Sequence, residues 1–120
     1  MSPKLAWALV LGWMLLIAVM SHQSVVTGPS TVTGMPLADK LDHLAEFAVL
    51  GALLWNAVSH YHPLSGVTPV VFVLAIGAGY AALDELHQSL VPGRSIQLGD
   101  WLADVVGVTL GSYAVDRWQR

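Results

Sequence analysis

The sequence predicts an all-α integral membrane protein: a four-helix bundle of up-down topology joined by short loops. Three observations carry that prediction. Hydrophobic residues make up 55% of the chain and charged residues 11%, whereas about a quarter of a soluble domain is charged. With 120 residues the chain has too little interior for so much apolar surface, because small domains keep a high ratio of surface to volume. The apolar residues also gather into four long runs with turn-forming residues between them. Lipid is the solvent that suits such a chain.

The first run, Leu5–Met20, carries no charge and follows Ser2-Pro3; proline at the first helical position is a common start. The run alone is a little short of the roughly 20 residues that cross the hydrocarbon, so flanking residues are expected to extend the helix to about 4–21. A signal-peptide core has similar length, but Ala18-Val19-Met20 is a poor small-x-small cleavage site. The run is therefore read as a retained helix. From Ser21 to about Ala38 the chain is rich in Thr, Ser, Gly and Pro and reads as a loop.

The second helix is expected at about 39–59, followed by a connection from His60 to Gly66 that contains Pro63. Thr68-Pro69 suits an N-cap and first helical residue, which starts a third helix at about 69–90. Pro92-Gly93 breaks it. The fourth helix is expected at about 100–116. Strands fit poorly, since the runs lack strict alternation and exceed the roughly 10 residues of a barrel strand.

A net charge of -3 without a basic run gives no reason to expect a nucleic-acid partner. The absence of cysteine excludes a disulfide framework and a thiolate metal site. Lys4, Arg117 and Arg120 on one side outnumber Lys40 and Arg94 on the other, which favours both termini on the cytoplasmic side.

Four alternating crossings bring the start of the second helix, the end of the third and the start of the fourth to one membrane face. The unusual polar residues lie there: Asp39, Lys40, Asp42, His43 and Glu46; Asp84, Glu85, His87 and Gln88; Arg94; and Asp100 and Asp104. Asp39 and His43 share a helix face, as do Asp84, His87 and Gln88. Asp100, Asp104, Gly107 and Gly111 form one stripe, and Gly107-x-x-x-Gly111 suits close helix packing. An ionisable residue at depth normally faces the bundle interior or a wet cavity, and marks a site by default.

The candidates are weighed against structural roles. His43 suits a general base, a proton carrier or a ligand, or an interhelical hydrogen bond. Asp84 and Glu85 are neighbours that point about 100° apart, so both are not expected to serve one small site. Arg94 suits a phosphate or carboxylate through its fork, or a salt bridge that clamps the loop. Asp100 reads as an N-cap, while Asp104, a turn deeper, does not. Lys40 and Asp42 read as solvated interface residues, and His22, His60 and His62 as loop residues. Trp7, Trp13, Trp55, Trp101 and Trp118 read mostly as interfacial anchors. No hydrolase, phosphate-loop or zinc-helix motif appears. Nothing fixes the spacing of a ligand set, so neither a metal nor another cofactor is expected.

Three pieces of the chain resemble the VanZ-like family of membrane proteins. They are Asp39-Lys40-x-x-His43-x-x-x-Phe47, Asp84-Glu85-x-x-Gln88-x-x-x-Pro92-Gly93-Arg94, and Asp100-x-x-x-Asp104-x-x-Gly107. The middle piece is the most specific. The family often has Tyr where Phe47 stands and Asn where Asp104 stands; the first change removes a hydroxyl and the second adds a carboxyl. The resemblance implies a single VanZ-like domain over residues 1–120 in the bacterial inner membrane. It also supports reading His43, Asp84, Glu85, Gln88, Arg94 and Asp100 as one constellation. The family's namesake is associated with resistance to the glycopeptide teicoplanin.

Three functions fit these residues. In the leading one, His43, Asp84, Glu85, Gln88, Arg94, Asp100 and Asp104 bind the headgroup of a membrane lipid or of a lipid-linked cell-wall intermediate, on the extracytoplasmic side. In its rival, an intramembrane enzyme acts on a lipid-linked phosphate or ester, with His43, Asp84 and Glu85 as catalytic candidates. In the third, the cluster only holds the helices together or docks a partner. Ligand identity and oligomeric state stay open.

Overall fold

The computed structural model describes the backbone of residues 1–22, 36–61, 66–93 and 96–120, and the side chains of 1–21, 40–61, 66–93 and 96–120. Among these residues the secondary structure is four α-helices and no strand: α1 (Pro3–His22), α2 (Pro36–Val58), α3 (Thr68–Gln88) and α4 (Leu98–Gln119). Their lengths of 20 to 23 residues correspond to about 30–35 Å at 1.5 Å per residue, the thickness of a bilayer's hydrocarbon core. Most of the loop expected between Ser21 and Ala38 lies outside the described residues.

The helices run up and down in turn. Asn56 near the end of α2 reaches Met1, while Trp13 midway along α1 donates to the Glu46 carbonyl midway along α2. The Trp101 indole of α4 donates to the Ala78 carbonyl of α3, and the Gln97 amide at the start of α4 meets Glu85 near the end of α3. Thus α2 and α4 run parallel, with α1 and α3 opposed to them. Transverse extents of 23 and 20 Å fit four helices of about 10 Å diameter set two by two.

Each helix buries one stripe. Ala6, Val10 and Ile17 form that of α1; Phe47, Leu50, Leu54 and Val58 that of α2; Val73, Gly77 and Ala81 that of α3. The closest seam joins α2 to α4. A Cβ built on Gly107 would strike the Leu44 carbonyl oxygen, and one on Gly111 the Ala48 carbonyl oxygen. From the other helix, a Cβ on Gly51 would strike the Val108 backbone. Only glycine lets these backbones meet.

Three helices are long and apolar enough to span a membrane: Pro3–Ser21, Lys40–Val58 and Thr68–Gln88. The fourth falls short in composition because of Asp100, Asp104 and its hydroxyl residues. Its faces explain this. Both acids are buried, while Leu102, Val106 and Leu110 form the exposed stripe. The exposed Thr109 hydroxyl donates to the Val105 carbonyl of its own helix, so it needs no water. The outer surface of α4 therefore suits lipid as well as its neighbours' surfaces do.

Several ends differ from the sequence reading. Val67, not Thr68, caps α3, because the Val71 amide already bonds to the Val67 carbonyl. That helix stops at Gln88, where the amides of Ser89, Leu90 and Val91 turn back to Glu85, His87 and Gln88. Gly93 follows with φ +85°, a left-handed conformation natural to glycine. Gln97, not Asp100, stands at the N-cap of α4, and Asp100 lies in the first turn. Trp13 and Trp101 bond across helices and Trp55 is buried, so these three are packing residues more than interfacial anchors.

The glycine seam makes a paired test. Gly111→Ala should lower stability in detergent by about 1–3 kcal/mol, the usual cost of overpacking. Gly12→Ala, inside α1 at a position with nothing within 4 Å, should not lower it and should raise it by up to about 1 kcal/mol, the helix-propensity gain. Thermal unfolding followed by circular dichroism measures both; equal effects would contradict the close seam.

Candidate functional site

At the end of the bundle where α2 and α4 begin and α3 ends, six polar side chains are buried: His43, Asp84, Glu85, Gln88, Asp100 and Asp104. Four of the chain's eight acidic residues are among them. Soluble proteins almost never bury acids unless they are paired, so the partners decide what the cluster is.

The parallel α2–α4 seam sets the first contacts. Lys40 Nζ lies 3.2 Å from Asp100 Oδ1, and one turn deeper His43 Nδ1 lies 2.9 Å from Asp104 Oδ1. Leu44 against Gly107 and Ala48 against Gly111 continue the register. Gly99 keeps a lane open for Lys40, since a Cβ there would come within 3.1 Å of the Lys40 Cε.

The last turn of α3 closes the cluster. Gln88 Nε2 donates to Asp84 Oδ2 at 3.1 Å, and Glu85 Oε2 accepts the Gln97 amide at 3.3 Å. Two sets of side chains then share His43. In His43, Asp84 and Asp104, one ligand-type atom of each lies within 4.8 Å of the others; the same holds for His43, Glu85 and Asp100. The cluster is thus layered, with the Asp84–Asp104 side deeper and the Glu85–Asp100 side nearer the rim.

Most of the residues singled out from the sequence come together here. Asp84 and Glu85 are both buried here, and their divergence of about 100° sets them in separate groupings, Asp84 with Asp104 and Glu85 with Asp100. One reading needs correction. Asp100 is not an N-cap, because its carboxylate is turned to Lys40. That same contact reveals the residue the sequence reading missed: Lys40, read as solvated, is a half-buried ion-pair partner. The signal was present in the one-turn spacing of Lys40 and His43, three residues apart, and of Asp100 and Asp104, four residues apart. Arg94 lies outside the described residues, as do His62 and the side chains of His22 and Asp39. Asp42 and His60 are exposed, as expected.

Phe47 lies directly beneath His43 and is fully buried, its ring centroid 6.1 Å from that of Tyr80. The Tyr80 hydroxyl donates to the Met14 carbonyl. An apolar floor therefore separates the cluster from the rest of the core.

A family model described as VanZ/LLP1 matches residues 5–118. The chain belongs to the VanZ/LLP1 family. The match extends the resemblance, carried by motif pieces between Asp39 and Gly107, to nearly the whole chain. No curated protein and no solved structure matches it. In this VanZ/LLP1 protein the described residues His43, Asp84, Glu85, Gln88, Asp100 and Asp104 of the three motif pieces meet at one rim, and the departure at Asp104 supplies the partner of His43.

The His43–Asp104 contact should behave as a coupled pair. His43→Leu and Asp104→Leu should each cost about 1–3 kcal/mol, the penalty of a buried polar group left alone. The double substitution should cost clearly less than the two added together. Unfolding of the four proteins in detergent completes the cycle; strict additivity would dissolve the pair.

Proposed function

We propose that this protein binds the polar headgroup of a membrane lipid or a lipid-linked cell-wall precursor in the rim cluster, on the extracytoplasmic side of the bacterial inner membrane. The observation that carries the reading is the burial of four carboxylates and one imidazole at the end of a bundle whose outer surface is apolar. Ionisable residues within a bundle are costly and usually functional. A structural cluster needs balanced charges, whereas this one holds more acid than base among the described residues. Carboxylates and the Gln88 amide suit the hydroxyl and amine donors of a headgroup. Arg94, beside Gly93 in sequence, has the fork that suits its anionic part.

The side assignment rests on charge. Lys40 is engaged by Asp100, so it counts less as a topological signal, which strengthens the bias of Lys4, Arg117 and Arg120 towards the cytoplasm. A reporter active only in the cytoplasm should work when fused after Arg120; activity of a periplasm-only reporter there would reverse the orientation. The link to glycopeptide resistance comes with the family's namesake. In this reading headgroup capture alters the precursor pool on which teicoplanin acts.

Native mass spectrometry of protein purified from membranes tests the binding. Wild type should retain a lipid or precursor that His43→Ala and Gln88→Ala retain at least about tenfold less, with helix content unchanged. Folded variants that keep the same lipids would end this reading. Variants that unfold without a binding defect in the remaining folded fraction would support a structural cluster instead.

One observation favours a second reading. His43 held through Nδ1 by a buried carboxylate has the arrangement of an oriented acid–base residue. An intramembrane enzyme would use it on a lipid-linked phosphate or ester. Turnover by the purified protein, lost in His43→Ala, would move the assignment there.

A further inference from the structure

The charge of the cluster poses a problem for headgroup binding. Most bacterial headgroups contain phosphate, and four buried carboxylates repel phosphate. Among the described residues Lys40 pairs with Asp100 and His43 with Asp104. Two carboxylates are also incompletely used. Glu85 is 3% exposed and Asp104 0%, yet Glu85 Oε1 and Asp104 Oδ2 have no hydrogen-bond partner among the described residues. Buried polar atoms are nearly always satisfied, and exceptions point to an ion, a water or a catalytic role. Neither oxygen is open to bulk solvent.

The geometry at the rim supplies what a cation needs. His43, Glu85 and Asp100 each bring one donor atom within 4.8 Å of the other two. Atoms at that spacing can converge on an ion about 2.0–2.2 Å from each, given small side-chain adjustments. Coordination through His43 Nε2 would leave the Nδ1–Asp104 bond in place, and any hydrogen bond made by Nε2 would be given up to the ion. Asp104 would then hold the ring as carboxylates commonly hold a metal-bound histidine.

We propose that His43, Glu85 and Asp100 form a divalent-cation site of the Zn²⁺ or Mn²⁺ class, with Asp104 orienting the imidazole. One nitrogen and two oxygens suit these ions better than Mg²⁺ or Ca²⁺, which prefer oxygen alone. Three protein ligands leave a position open, and that position fits a phosphate oxygen. This last step rests on the headgroup reading; the cation site does not. Lys40 opposes the ion, because its ammonium occupies Asp100 Oδ1. Lys40 and the cation therefore compete for one carboxylate.

Calorimetry with Zn²⁺ and Mn²⁺ on the full chain in detergent tests the site. One equivalent should bind, and Glu85→Gln and His43→Ala should weaken it at least tenfold. Lys40→Met should tighten it several-fold, a gain that a folding defect does not mimic. His60→Ala, on the exposed turn, should change nothing. Absence of binding in folded wild type overturns the site, as do a His60-dependent signal and weaker binding in Lys40→Met. Vesicles of phosphatidylglycerol with and without chelator separate the two readings. Lipid retention that chelator leaves unchanged sinks only the step in which the ion holds phosphate; metal binding with no lipid retained in either case sinks the headgroup reading alone.

Discussion

The backbone of α4 rests directly on the backbone of α2, and the polar end of the protein depends on that contact. Gly107 lies against Leu44, Gly111 against Ala48, and Gly51 against Val108. None of these positions has room for a side chain, so the helices cannot slide or rotate past one another without losing the fit. In a bilayer there is little hydrophobic drive between helices, and close packing has to do the work of association. The register that results puts Asp100 beside Lys40 and Asp104 beside His43. A shift of one residue along either helix would turn each acid about 100° away, into lipid or an apolar neighbour.

The distribution of polarity follows from the solvent. A soluble bundle hides leucine and shows acid to water. Here Leu102, Val106 and Leu110 are exposed while Asp100, Asp104 and Gly107 are buried on the same helix. Three ring donors obey the same rule: Trp13, Trp101 and Tyr80 each find a backbone carbonyl on another helix, whereas the buried Trp55 indole has no hydrogen-bond partner among the described residues. Such bonds are modest in strength, averaging about 0.6 kcal/mol in membranes, but they orient α1 and α3 about the rigid α2–α4 pair.

Much of this was legible in the sequence because it depends on composition and on helical period. Four apolar runs imply four helices, and alternating crossings place residues 39–46, 84–88 and 100–104 at one rim. The family match over residues 5–118 agrees with the motif pieces. What escaped was contact between particular atoms. Thr68-Pro69 looks like a cap from its residue types, yet the first hydrogen bond of α3 starts one residue earlier. Asp100 after Gly99 likewise looks like a cap, and only the approach of α2 shows its carboxylate turned to Lys40. Adjacency turns Asp84 and Glu85 about 100° apart, and only the contacts show which turn of α4 each one meets.

The cluster sits near the helix ends rather than at the bilayer centre, and this bears on how the chain is made. The second helix leaves the insertion machinery carrying Lys40 and His43 long before the fourth exists to meet them. Asp84 and Glu85 arrive next, still without Asp104. Since Asp104 lies about 9 Å from the start of α4 at 1.5 Å per residue, each early arrival can wait in the headgroup layer, where charge is tolerated, and be drawn inward when the last helix docks. The depth of the acids thus suits an order of assembly in which α4, through its glycines, seals the three helices made before it.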